Sequence, residues 1–244
     1  DVGSFRVEAF RVPLVDARLA GPAGTQVAPA EVAFSAQLNA MAGGPMADAP
    51  LKLSAVVRRA PLDFAGYEEF GFEPPQTARR GGEDDEAAAE AQTLVADKLA
   101  ARTDKAGAAK IVLPKLPPLQ VPSDLVAELT FNDANGEVQT VAQRLRLWPA
   151  AVVVGLRVPE WTATRGDAGL TVVVLGTDGK PLAGRAVEVI GRLHQTLSTR
   201  KRIVGGFYAY DNSDQLKELG ALCSGKTDAL GRVNCSVKLD AVGE

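Results

Sequence analysis

Apolar and polar positions alternate along most of this chain, and one stretch shows how the alternation is organised. Leu170 to Leu175 form a β-branched, apolar run, Asp178-Gly179 and Pro181 supply a turn, and Ala186-Val187-Glu188-Val189 places its valines on one face. The pattern predicts a hairpin. It occurs twice. Val32-Ala33-Phe34-Ser35-Ala36-Gln37-Leu38-Asn39 is followed by Gly43-Gly44-Pro45 and then by Leu51-Lys52-Leu53-Ser54-Ala55-Val56-Val57. Pro45 lies over Pro181, and Leu51 and Leu53 over Val187 and Val189, at an offset of 136 residues (181 − 45).

A second landmark repeats in the same order. Thr103-Asp104-Lys105-Ala106-Gly107 recurs as Thr227-Asp228-Ala229-Leu230-Gly231, each followed by alternation. Glycine in the fifth place suits the left-handed residue that closes a three-residue hairpin loop with a bulge. Two landmarks in one order predict an internal duplication and two domains, 1–149 and 150–244, each long enough to bury a core.

The other segments fit around that frame. Phe5, Val7 and Phe10 alternate up to Pro13, as a first strand or a connection from an upstream domain would, and Pro22 and Pro29 bracket a loop. Leu125 to Phe131, a turn at Asn132-Asp133-Ala134-Asn135-Gly136 and Val138 to Leu147 read as a hairpin that completes the first domain. Trp148-Pro149 marks the boundary, and Val152, Val154, Leu156 and Val158 open the second domain. Within the first domain, residues 61 to 92 change character: Phe64, Tyr67, Phe70 and Phe72 precede Pro74-Pro75, then Arg79-Arg80-Gly81-Gly82-Glu83-Asp84-Asp85-Glu86 and an alanine-rich tail. The charged run from Arg79 to Ala91 has little to bury and is expected to be an exposed loop with at most a short helical turn at 84–91, within an acidic loop insertion of the first domain at about 61–92.

Thr103 to Trp148 is 45 residues (148 − 103), and the same count from Thr227 passes Glu244 (227 + 45 = 272). The second domain is therefore expected to lack its last hairpin. Apart from a possible helical turn at Lys217-Glu218, no amphipathic helix is legible. The fold class is all-β: two tandem immunoglobulin- or fibronectin-III-like antiparallel β-sandwiches rather than a parallel α/β sheet.

Composition narrows the function classes. With 30 acidic against 27 basic residues the net charge is −3, so no overall cationic field recommends nucleic acid. No run approaches the roughly 18 apolar residues of a membrane helix, and the start at Asp1 has no signal-peptide layout. No P-loop, Rossmann glycine pattern, nucleophile elbow or His-Glu-x-x-His occurs. No enzyme activity and no cofactor are expected. The one histidine, His194, sits in a strand-like run and reads as structural. Glu83 to Glu86 lack the alternating carboxylates and turn glycine of a calcium loop, and Asn234-Cys235-Ser236 matches a glycosylation site only formally.

Three stretches carry a resemblance: Gly3-Ser4-Phe5-Arg6-Val7-Glu8-Ala9-Phe10-Arg11, Ala127-Glu128-Leu129-Thr130-Phe131-Asn132-Asp133, and Ser198-Thr199-Arg200-Lys201-Arg202-Ile203-Val204-Gly205-Gly206-Phe207-Tyr208-Ala209-Tyr210-Asp211-Asn212. With the order of elements, they make the chain resemble the macroglobulin-like domains of the bacterial α2-macroglobulin family. The resemblance implies a scaffold segment of a periplasmic protein, lipid-anchored at the inner membrane, that traps proteases after they cut a bait segment. It implies neighbouring macroglobulin-like domains and a peptidoglycan-synthesising penicillin-binding protein as partners. The family's thioester motif, Cys-x-Glu-Gln, is matched at neither Cys223-Ser-Gly-Lys nor Cys235-Ser-Val-Lys, so trapping chemistry is not expected here.

The same resemblance bears on the two cysteines. They overlie Leu99 and Ile111 of the first copy, and in a hairpin centred on Ala229 they face each other (223 + 235 = 2 × 229). A cross-strand disulfide is open, and the implied periplasmic compartment favours it over two buried free thiols. Arg200, Lys201 and Arg202 beside Phe207, Tyr208 and Tyr210 read either as a partner or interdomain patch or as a solvated edge. Two further function classes fit tandem sandwiches: an adhesin arm, or a carbohydrate-binding module whose aromatic platform would have to use Trp148 and Trp161.

Overall fold

A computed structural model describes residues 14–72, 92–113, 115–158, 166–202 and 208–239. The expected segments at 4–12 and 84–91 lie outside them. The chain divides into two compact units, one comprising Asp1–Pro61 and Pro75–Ala150, the other Leu62–Pro74 and Ala151–Glu244. The described residues form thirteen strands and no helix.

In unit 1, β1 (Val15–Ala20), β3 (Val32–Ala40) and β6 (Ala108–Leu113) make a sheet ordered β1-β3-β6. The facing sheet contains β2 (Gln26–Val27), β4 (Pro50–Arg59), β5 (Gln92–Arg102), β7 (Ser123–Asn132) and β8 (Val138–Trp148), ordered β2-β8-β7-β4-β5. Period-two patterning supplies the core from both sheets: Phe34, Leu38, Leu51, Leu53, Leu125 and Leu129 are all fully buried. Each such side chain contributes about 1.5–3 kcal/mol. One ladder departs from the antiparallel expectation. The two-residue β2 runs parallel to β8, with Gln26 opposite Leu147, and covers an edge that would otherwise be open.

In unit 2, β9 (Val152–Arg157), β10 (Gly166–Gly176) and β13 (Arg232–Leu239) form a sheet ordered β13-β10-β9. The second sheet is a long antiparallel ribbon of β11 (Ala186–Arg202) and β12 (Tyr208–Lys226). Lys217 and Glu218 are strand residues of this ribbon, opposite Leu193 and Arg192, and the Arg192–Glu218 ion pair at 3.7 Å crosses between its strands. That corrects the helical turn expected there.

The expected hairpins need a larger correction. β7–β8 is one, closed by Asp133 Oδ1 accepting from the Asn135 and Glu137 amides at 2.9 Å each. The β3–β4, β5–β6, β10–β11 and β12–β13 connections are corners that carry the chain from one sheet to the other. Alternation specifies which face of a strand is buried, and it is the same whichever neighbour the strand pairs with.

The two repeated landmarks make the same hydrogen bonds in both units. Asn39 bridges to Pro45 as Leu175 does to Pro181. The Leu38 amide donates to the Gly107 carbonyl (2.9 Å) and its carbonyl accepts from Met46 (3.0 Å), while Val174 does the same with Gly231 (2.8 Å) and Leu182 (2.9 Å). Thr103 Oγ1 donates to the Met46 carbonyl and accepts from the Ala49 amide, as Thr227 Oγ1 does with Leu182 and Arg185. Gly107 and Gly231 have φ of 74° and 70°, and a Cβ on either would meet the carbonyl of Leu38 or Val174.

Candidate functional site

The aromatic segment, which the sequence places in a loop insertion of the first domain, is grouped with unit 2 and packs there. Residues 172–175 of β10 are buried on both faces, which an ordinary two-layer sandwich does not require. One face packs in the sandwich core, where Val172 meets Val233, Cys235 and Val237. The other is covered by Phe70, with Val173 and Leu175 beneath it and Phe64, Tyr67 and Phe72 around it. The strap is wound by turns that Tyr67 and Phe70 close through their amides, at 2.9 and 3.0 Å. It is then pinned to β9 by reciprocal backbone bonds between Gly71 and Leu156, at 2.8 and 2.9 Å.

Its register explains Gly155: a side chain there would collide with the Phe72 ring and with Val173. Charge secures the same place. Arg157 pairs with Glu69 at 2.8 Å, and the Arg157 and Arg232 guanidiniums lie 5.5 and 5.7 Å from the centre of the Phe70 ring.

Cys223 and Cys235 form a disulfide with a Cα separation of 6.1 Å. The geometric route to it differs from the hairpin argument. β12 pairs with β11 and β13 with β10, so the bond staples one sheet to the other. Cys223 lies opposite Val189 and Cys235 opposite Leu170, as Leu99 lies opposite Leu53 and Ile111 opposite Phe34 in unit 1. The bond thus joins the two strand positions that Leu99 and Ile111 take in unit 1.

The cationic and aromatic residues singled out in the sequence fall at the far end of the β11–β12 ribbon. Arg200 pairs in register with Tyr210, Lys201 with Ala209 and Arg202 with Tyr208, and Arg200 and Lys201 are exposed. Phe207 lies outside the described residues, as do Trp161 and Glu83 to Glu86. His194 is a β11 residue opposite Leu216. Trp148 is buried, with the Arg146 guanidinium 5.9 Å from its ring centre, so it offers no open stacking platform.

A surface that sequence reasoning missed is the apolar row of β9. Leu156 pairs with Val172 and Val154 with Val174, the places that Leu19 and Ala17 take opposite Ala36 and Leu38 in unit 1. Leu19 is 6% exposed, whereas Leu156 is 43% and Val154 53% exposed. Val152 and Val158 extend the row. The available signal was the alternation itself, an apolar face that the described residues of unit 2 leave exposed.

No protein-family model matches the chain, and no curated protein matches it. Solved structures do. Native E. coli alpha-2-macroglobulin is 15% identical with a TM-score of 0.60, over 96% of this chain and 15% of that one. E. coli alpha-2-macroglobulin activated by porcine elastase is 17% identical with a TM-score of 0.59, over 94% of this chain and 20% of that one. Salmonella alpha-2-macroglobulin reacted with methylamine is 18% identical with a TM-score of 0.53, over 95% of this chain and 16% of that one. The chain therefore spans 15–20% of the length of these structures. At such identity the likeness establishes the fold, that of bacterial alpha-2-macroglobulin domains, with immunoglobulin-like sandwiches.

Proposed function

We propose that this chain is a two-sandwich scaffold segment of a bacterial α2-macroglobulin, a protease-trapping inhibitor, and that it carries no catalytic step. The observation that carries the reading is that a single neighbour of that kind matches 96% of the chain, both repeats included. The open apolar row of β9 supports it, because such a face belongs against further protein. The segment's work is mechanical: rigid sandwiches pass on the displacement that follows cleavage of a bait segment elsewhere, through contacts small enough to re-pair.

Proteases are its partners through the parent protein, neighbouring macroglobulin-like domains directly, and a penicillin-binding protein through the assembly. The compartment is the periplasm, with the parent lipid-anchored to the inner membrane. The Cys223–Cys235 disulfide supports an oxidising compartment of this kind.

The test is protease entrapment by the parent protein. Trypsin or elastase is added, and residual activity is measured on a small peptide substrate and on a large protein substrate. Trapping leaves the first and removes the second, and deletion of these two units abolishes that difference. A parent that protects no large substrate, or one that still does so after the deletion, overturns the scaffold reading.

A further inference from the structure

Unit 1 carries a cleft of about 600 Å³ on the face of its larger sheet turned away from the core, lined by Arg58, Arg59, Gln92, Asp124, Arg144 and Arg146. Strand register builds it. Gln92 on β5, Arg58 on β4, Asp124 on β7 and Arg146 on β8 stand in one cross-strand row, and Arg144 precedes Arg146 by two residues on the same face. Three guanidiniums, those of Arg58, Arg144 and Arg146, thus flank one carboxylate among the described residues that line the cleft. Like charges in neighbouring strand positions repel, and Asp124 balances one of these three charges.

That carboxylate organises rather than neutralises the cleft. Asp124 is 7% exposed at its side chain, and its Oδ1 accepts from Arg146 Nε at 2.8 Å while Oδ2 lies 4.0 Å from Arg144 Nε. Arg146 is held from a second side by the Trp148 ring. A guanidinium fixed by a buried acid and an aromatic face has lost its freedom beforehand, and its unused N–H groups are available to a ligand at reduced entropic cost.

We propose that this cleft binds an extended acidic peptide segment, with carboxylates at alternate residues engaging Arg144, Arg146 and Arg58. Spacing favours a peptide. Arg144 and Arg146 are two residues apart on a strand, about 6.8 Å, and an extended chain repeats its side chains on one face at the same interval. Planar carboxylates match the guanidinium fork. The site is a second function beside the scaffold role and is tested independently of protease trapping.

The experiment follows fluorescence anisotropy of a labelled peptide of alternating Glu and Ala, titrated with the full chain. A Lys/Ala peptide of equal length and vesicles of phosphatidylglycerol are run in parallel. Because Glu83, Asp84, Asp85 and Glu86 are the chain's own source of the same chemistry, the titration is repeated with those four residues changed to Gln and Asn. Saturable binding of the acidic peptide in either background is expected. It should weaken about fivefold in each of Arg58→Gln and Arg144→Gln, weaken further with salt, and remain unchanged in Arg18→Gln, an exposed charge in the other sheet of unit 1. No saturable binding in either background, indifference to both cleft variants, or binding of vesicles without peptide would overturn the proposal.

Discussion

Phe70→Ala tests the most consequential feature of the fold. In sequence, Phe70 belongs to an insertion of the first repeat, where an exposed loop residue would change stability by less than about 0.5 kcal/mol. In the structure it is 6% exposed and covers Val173 and Leu175, both fully buried. Truncating a buried phenylalanine costs about 3–5 kcal/mol. The site lies at the outer face of a sheet rather than between two, where relaxation is easier, so the lower end applies, about 3 kcal/mol. Loss of ring contact with Arg157 and Arg232 falls within that figure. The assay is amide hydrogen exchange on the full chain. Amides of β9 and β10 should exchange about 100-fold faster, those of β3 and β4 at their original rates. Equal loss in both units, or no change in either, would refute the assignment of the aromatic strap to unit 2.

Four other outcomes follow from the duplicated architecture. Thr103→Val keeps shape but orphans the Met46 carbonyl and the Ala49 amide, costing about 2–4 kcal/mol in denaturant titration; Thr227→Val should cost less, since Arg185 is exposed and water can replace the hydroxyl. Gly107→Ala and Gly231→Ala both impose left-handed backbone and a carbonyl clash, and each should lower its own unit's thermal midpoint while leaving the other unit's in place. Replacing Cys223 and Cys235 by serine removes a bond closing a loop with separation 12, a loss of about 3 kcal/mol confined to unit 2 in the same titration. The hydrogen bond and charge of Arg102 hold the Asp48 carboxyl below its usual pKa. Its contribution is therefore complete above the unfolded value, about 3.9, and lost as pH falls through the lower folded value. Asp48→Asn should flatten the acid limb of the stability profile, and an unchanged limb would contradict this.

The repeat was legible because it depends on residues with special backbone demands. Pro45 and Pro181, Gly107 and Gly231, and the paired threonines recur at fixed places, and each does the same job in both units. Strand pairing was not legible, because Val187 and Val189 alternate identically whether β11 pairs with β10 or with β12. The role of the strap was not legible for a different reason. Phe64, Tyr67 and Phe70 recur every third residue, which is neither the period of a strand nor that of an α-helix, and their role is visible only from the surface they cover. Two signals did exist in that surface: the unbroken run Val172 to Leu175, too apolar for a strand with one wet face, and Gly155 inside an otherwise apolar strand. The Arg58, Asp124 and Arg146 row was invisible for want of register, since its members come from three strands.

The matching threonine-to-glycine loops set a problem for the chain as it first folds. Each presents the same donors and acceptors, and Leu38 and Val174 offer the same reply. From Gly107 the two are almost equally far along the chain, 69 residues back (107 − 38) and 67 forward (174 − 107), so loop-closure entropy barely prefers either. Synthesis from the N-terminus removes the ambiguity, because Leu38 has left the ribosome before Gly107 and Val174 has not. Dilution of the complete chain from denaturant offers no such order, and exchange of partners between the copies is the misfolded product to expect there.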